Sequence, residues 1–199
     1  AKEKYGEVGN AFAMQLWDLT IEQNILVVCK TPMARSITRR TLVGFRDTKV
    51  HAEYYKNLIE NISQNSDLVV NTLRDGKNFW GINENKHMTI DAIIGNPPYQ
   101  EEGISTRKAP IYHLFYDLSF RLSDKVSLIT PGRFLFRAGQ TPKEWMDKIL
   151  ADKHFKVVDY FQKSIDVFPS VDIKGGVVIT YRDAKTEFEP IGFFSEYEE

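Results

Sequence analysis

A single cysteine, Cys29, in 199 residues excludes a disulfide within the chain. With only four histidines scattered along the sequence, that thiol has no neighbours at metal-ligand spacing, and no structural zinc site is expected. No apolar run approaches the roughly 20 residues that a membrane-spanning helix requires. Ala1-Lys2-Glu3-Lys4 lacks the basic and then apolar order of a secretory signal, so a reducing cytoplasm is the expected location. Excess charge is missing too. The 26 Lys and Arg against 27 Asp and Glu leave −1, which disfavours a free-standing nucleic-acid binder that relies on bulk charge. Internal repeats, low-complexity tracts and a domain linker are all absent.

The chain does have 42% hydrophobic and 13% aromatic residues, enough for one packed core of ordinary domain size. Charge is uneven locally. Lys30, Arg35, Arg39, Arg40, Arg46 and Lys49 face a single acid, Asp47, in that stretch, which reads either as a phosphate-facing surface or as a solvated face balanced elsewhere.

From about residue 66, short β-branched runs alternate with segments of helical period, the pattern of an α/β fold with a mainly parallel sheet. The runs Leu68–Val70, Ile90–Ile94, Val126–Ile129, Val157–Phe161 and Val177–Tyr181 read as strands. Ile111, Leu114, Phe115, Leu118 and Leu122 read as a helix face, with Pro110 in its first turn. Thr141-Pro142-Lys143-Glu144 has the order of a capped helix start. Too few residues separate the last two strands for a crossover helix, so an antiparallel hairpin is expected there. Earlier in the chain, Ile25–Cys29 fits a strand, and Val50–Ile62 fits a helix with Tyr54, Leu58 and Ile62 on one face.

The segment that carries chemistry is Asp91-Ala92-Ile93-Ile94-Gly95-Asn96-Pro97-Pro98-Tyr99, an apolar strand running into a stiff loop. Ligands in open α/β sheets bind beyond the carboxyl ends of strands, where this loop begins. Two prolines fix two φ angles and remove two donors, leaving a rim of acceptors. An exocyclic amine conjugated to a ring is a poor nucleophile. The Asn96 side-chain carbonyl and the Pro97 backbone carbonyl could each accept one amine hydrogen and favour the tetrahedral, positively charged nitrogen. Tyr99 could stack on a base flipped out of a duplex. In isolation the tetrapeptide is also a common turn.

With its strand, Asn96-Pro97-Pro98-Tyr99 resembles the catalytic motif of the amino-type, adenine-N6 DNA methyltransferases of restriction-modification systems, including those fused to a nuclease. Three more segments resemble the same family: Ala109–Tyr112, Leu128–Phe134 and Asp166–Val177. The resemblance covers roughly residues 66–183 in order. It implies a Rossmann-like methyltransferase fold, S-adenosylmethionine as donor, and double-stranded DNA with a flipped adenine as partner. A restriction or specificity subunit, or attached domains, could accompany it.

On this reading residues 1–199 form one catalytic domain. Residues 66–183 are its catalytic half, 1–65 are unassigned, and a target-recognition domain is absent. Asp91 matches a commonly acidic position of the family, which makes it a candidate for binding the donor, or is a surface residue at a strand start. Phe168 lines the base pocket or belongs to the core. Arg107, Lys108, Arg133 and Arg137 follow strand ends, where they could reach phosphates.

The family's glycine-rich donor turn is not visible, and the fold is expected to be incomplete at its N-terminus. Leu16-Trp17-Asp18-Leu19 could then end a strand, with Asp18 holding the donor's ribose, or form an amphipathic helix with Asp18 in solvent. Two other functions stay open: a protein glutamine methyltransferase, whose acceptor amide poses the same chemical problem, and a non-catalytic DNA-binding piece of a restriction system.

Overall fold

The computed structural model describes residues 7–82, 88–100 and 109–195, and divides into two compact units, 1–88 and 89–199. One domain over residues 1–199 was expected, with 66–183 as its catalytic half; residues 66–88, the first 23 of that half, lie in the first unit.

In the first unit, helix α1 (Glu7–Asn24) leads to strand β1 (Leu26–Cys29), helix α2 (Pro32–Val43), strand β2 (His51–Tyr54) and helices α3 (Leu58–Gln64) and α4 (Ser66–Arg74). The strand expected at residues 25–29 is β1. Helix α2 begins where Thr31 accepts a hydrogen bond from the Ala34 N–H at 3.0 Å and Pro32 follows. It ends at Gly44, whose φ of 62° few other residues tolerate. β1 and β2 pair in parallel, Leu26 opposite His51, over a small core of Ile21, Cys29, Val43, Val50 and Ala52.

Two expectations fail in this unit. Residues 50–62 are not one helix: His51–Tyr54 take the ladder bonds that β1 offers, Asn57 turns the chain at φ 54°, and only then does α3 begin. Leu58 and Ile62 still share a buried face, while Tyr54 belongs to the strand. Leu68-Val69-Val70 is not a strand either. The Asn65 side chain caps the Leu68 N–H at 3.1 Å, and Val69, Val70 and Leu73 are buried at helical spacing. A β-branched pair is a weak strand signal when a cap and a 3.6-residue period oppose it.

The second unit contains strand β3 (Ala92–Gly95), helix α5 (Tyr112–Leu122), strand β4 (Lys125–Pro131), helix α6 (Lys143–Leu150), strand β5 (Phe155–Phe161) and strand β6 (Val177–Asp183). The sheet order is β3-β4-β6-β5. β3 and β4 are parallel, whereas β6 enters between β4 and β5 and runs antiparallel to both. The α/β class, with parallel strands followed by an antiparallel pair, is therefore as expected. The insertion of β6 between β4 and β5 is what the linear order did not reveal.

Core packing here is largely aromatic: Tyr112, Tyr116, Phe134, Trp145 and Phe155 are buried together with Leu128, Ile149 and Val178. The Tyr116 hydroxyl bridges Thr180 at 2.7 Å and Thr130 at 3.0 Å, and so ties α5 to both β4 and β6. The Thr141 side chain does not cap α6. Its hydroxyl bonds the Tyr112 hydroxyl at 2.6 Å, a buried partner that outcompetes an exposed backbone N–H. Pro110 precedes α5, whose cap is Ile111.

Candidate functional site

Register sets which loops share a rim. Pro131 at the end of β4 and Phe161 at the end of β5 both pair with Val177 at the start of β6, and β3 ends beside β4 at Gly95. Loop 96–99, the turn after Pro131 and loop 162–176 therefore leave the sheet at the same end.

In the first of these, Asn96 is exposed, and Pro97, Pro98 and Tyr99 are half-buried. Among the described residues no backbone N–H donates to the Asn96 or Pro97 carbonyl. The Tyr99 carbonyl instead accepts from the Ile111 N–H at 3.1 Å, which anchors the loop to the start of α5. The motif thus keeps its Asn96 and Pro97 acceptors unengaged on a loop that is anchored through Tyr99.

Tyr99 and Phe168 meet edge to face, ring centroids 6.5 Å apart with 65° between planes. The Tyr99 hydroxyl is buried without a partner, and burial pushes its pKa up to about 12. It stays a neutral phenol. In the core, burial raises the pKa of the Tyr112 and Tyr116 hydroxyls as well, against the lowering effect of their threonine partners; the Arg133 charge also lowers Tyr112. Burial lowers the pKa of His113, against the Asp117 charge that would raise it, and its Nδ1 has no partner.

The other residues expected at a site fall in several places. Arg133 lies in a 3-10 turn, Gly132–Phe136, directly after β4 and at the rim. Arg137 ends that turn but is engaged: its guanidinium meets Asp147 at 3.0 Å and the Gly192 carbonyl at 3.3 Å. Asp91 is exposed at the opposite end of β3 from Asn96, roughly 16 Å away by strand rise. Arg107 and Lys108 lie outside the described residues.

Asp18 is a correction: it sits within α1, not at a strand end, and its carboxylate is gripped by Arg46 through contacts of 2.7 to 3.0 Å. That hydrogen bonding holds the Asp18 pKa below its ordinary value. A carboxylate so occupied is not available to a ribose, nor is it simply in solvent.

The basic run is also largely spent inside its own unit. Arg35 and Arg39 share Glu53, Lys49 bonds the Gly81 carbonyl, and Arg40 lies over the Phe45 ring at 4.0 Å.

Two features were not expected from the sequence. One is the pair of core hydroxyls on Tyr112 and Tyr116 bonded to Thr141, Thr130 and Thr180, visible in the sequence only as tyrosines four apart on a helix. The other is a pair of glycines against Arg133, Gly139 and Gly175, which sit 36 residues apart and gave no joint signal.

The model of the Eco57I restriction-modification methylase family matches residues 23–168. An "uncharacterized adenine-specific methylase" from Mycoplasma pneumoniae is 32% identical over 95 residues, 45% of this chain, and the match spans 22% of that relative's length. A solved structure from Pyrococcus horikoshii, named a "putative RNA methyltransferase", shares 18% identity at a TM-score of 0.36, covering 91% of this chain and 88% of that one.

Proposed function

Because the chain belongs to the Eco57I restriction-modification methylase family, we propose that it supplies the acceptor half of a DNA methyltransferase acting on the exocyclic N6 of adenine. The observation that carries this reading is the loop 96–99 at the end of a parallel strand, with unengaged acceptors beside an aromatic pair.

The partner is double-stranded DNA with one adenine swung out of the stack, since the amine cannot reach this loop inside a duplex. The Tyr99 ring takes up the base face and compensates for lost stacking, with Phe168 at its flank. The Asn96 side-chain oxygen and the Pro97 carbonyl accept the two amine hydrogens. Both acceptors become more favourable as the nitrogen gains positive charge, so they act mainly on the transition state. Pro97 and Pro98 hold the geometry, and the Ile111 N–H pins the loop through Tyr99.

S-adenosylmethionine is the proposed donor, yet the residues suggested for it do not fit: Asp18 is occupied by Arg46 and Asp91 stands at the far end of β3. Asn96, Pro97, Pro98, Tyr99 and Phe168 all serve the acceptor side. Membership of a restriction-modification system, with a restriction or specificity partner, belongs to the same proposal.

The test is transfer of labelled methyl from S-adenosylmethionine by the full-length protein, offered duplex DNA and a glutamine-bearing protein acceptor. Label recovered as N6-methyladenine is the expected result. Label in glutamine, or in neither acceptor, would sink the proposal.

A further inference from the structure

The described arginines are mostly paired. Arg35 and Arg46 each meet a carboxylate within the first unit, and Arg137 and Arg182 do so within the second. Arg133 stands apart. No carboxylate among the described residues pairs with it, and its Nε is buried without any hydrogen-bond partner. One buried donor of a half-buried guanidinium left without a partner carries a desolvation cost.

Its stem, moreover, is held. A Cβ on Gly139 would come within 2.8 Å of the Arg133 Cδ, and one on Gly175 within 3.0 Å of the Arg133 Cβ. Both glycines have φ above 80°, a conformation other residues rarely adopt. Behind the arginine, a Cβ on Gly132 would strike the Gly175 carbonyl and the Tyr160 ring at 2.8 Å. The backbone of two loops thus closes around one arginine. The turn that carries Arg133 leaves β4 after Pro131, at the end of the sheet where loop 96–99 leaves the parallel neighbour β3. Arg133 and the acceptor loop therefore share one rim.

We infer that Arg133 is an oxyanion site that binds a backbone phosphate of the strand carrying the acceptor base. This deepens the proposed function and rests on it. Arginine suits the role because its fixed fork can grip a phosphate through two donors, which positions the strand without reading sequence. The donor's carboxylate is the other oxyanion in the reaction. The phosphate is favoured because Arg133 shares its rim with the acceptor loop.

The experiment uses the full-length protein with Arg133→Gln and Arg133→Lys. It measures affinity for a cognate duplex against salt, KM for S-adenosylmethionine, and kcat at saturating DNA. For the glutamine variant the expected result is 10- to 100-fold weaker DNA binding, a salt slope shallower by about one counterion, and an unchanged donor KM. The lysine variant should recover most of the affinity, since a point charge still binds phosphate. A duplex with neutral methylphosphonates flanking the target adenine should weaken wild-type binding but leave the glutamine variant unaffected.

An unchanged salt slope, or a defect confined to the donor KM, would overturn the inference; the second outcome would make Arg133 a carboxylate site. Loss of the fold in both variants, shown by a collapsed Tm, would mean that Arg133 is structural and would overturn it as well. Wild-type transfer to adenine in the same assay reports separately on the proposed function.

Discussion

Replacing Tyr99 by phenylalanine removes one oxygen that has no partner, whereas replacing it by alanine removes the ring that faces Phe168. A buried, unsatisfied hydroxyl costs about 1–3 kcal/mol of lost solvation, so Tyr99→Phe should leave the Tm unchanged or raise it. Activity should also survive, because stacking needs only the ring face. Alanine forfeits base stacking of about 1–3 kcal/mol, which is roughly a 5- to 150-fold loss in kcat/KM. It also forfeits the edge-to-face contact with Phe168, about 0.5–1.5 kcal/mol, which should appear as a lower Tm. Steady-state methylation of a short duplex and thermal unfolding of all three proteins measure both quantities. If phenylalanine loses as much activity as alanine, the hydroxyl has a partner in the complex and the stacking argument is wrong.

Asn96→Ala should lower kcat by about 10²- to 10³-fold with little change in Tm, since the side chain is exposed, and Asn96→Asp should retain part of the rate because it still offers acceptors. An unaltered rate in the alanine variant would remove Asn96 from the mechanism. His113 has its folded pKa depressed by burial below 6.5, so the unfolded chain binds a proton more readily. Stability should therefore fall as pH drops through about 6.5, and His113→Gln should flatten that part of the Tm–pH curve; parallel curves would refute the assignment. Tyr116→Phe leaves the buried Thr130 hydroxyl without its partner, at a cost of about 1–3 kcal/mol, and the check is a lower denaturation midpoint at unchanged slope.

The sequence by itself determined the chemistry of the acceptor loop. Asn96, the two prolines and Tyr99 follow an apolar strand directly, and φ restriction and acceptor count are properties of adjacent residues. It also determined the α/β class, strand β1 and helix α5, because their periodicities are local.

Tertiary structure decided everything that depends on a partner far along the chain. Residues 68–70 are helical because a core takes Val69, Val70 and Leu73 on one face; the Asn65 cap is local and assists, and β-branched propensity, worth a fraction of a kcal/mol, yields to the burial. Thr141 has the look of a cap, but Tyr112 offered it a buried hydroxyl instead. Asp18 could not be known as occupied until Arg46, 28 residues on, was placed beside it. Likewise, Arg133 was one surface candidate among four until Gly139 and Gly175 were seen to close on it, while Arg137 was found engaged with Asp147. A motif records what neighbouring residues can do, and only the fold shows which charges remain free to do it.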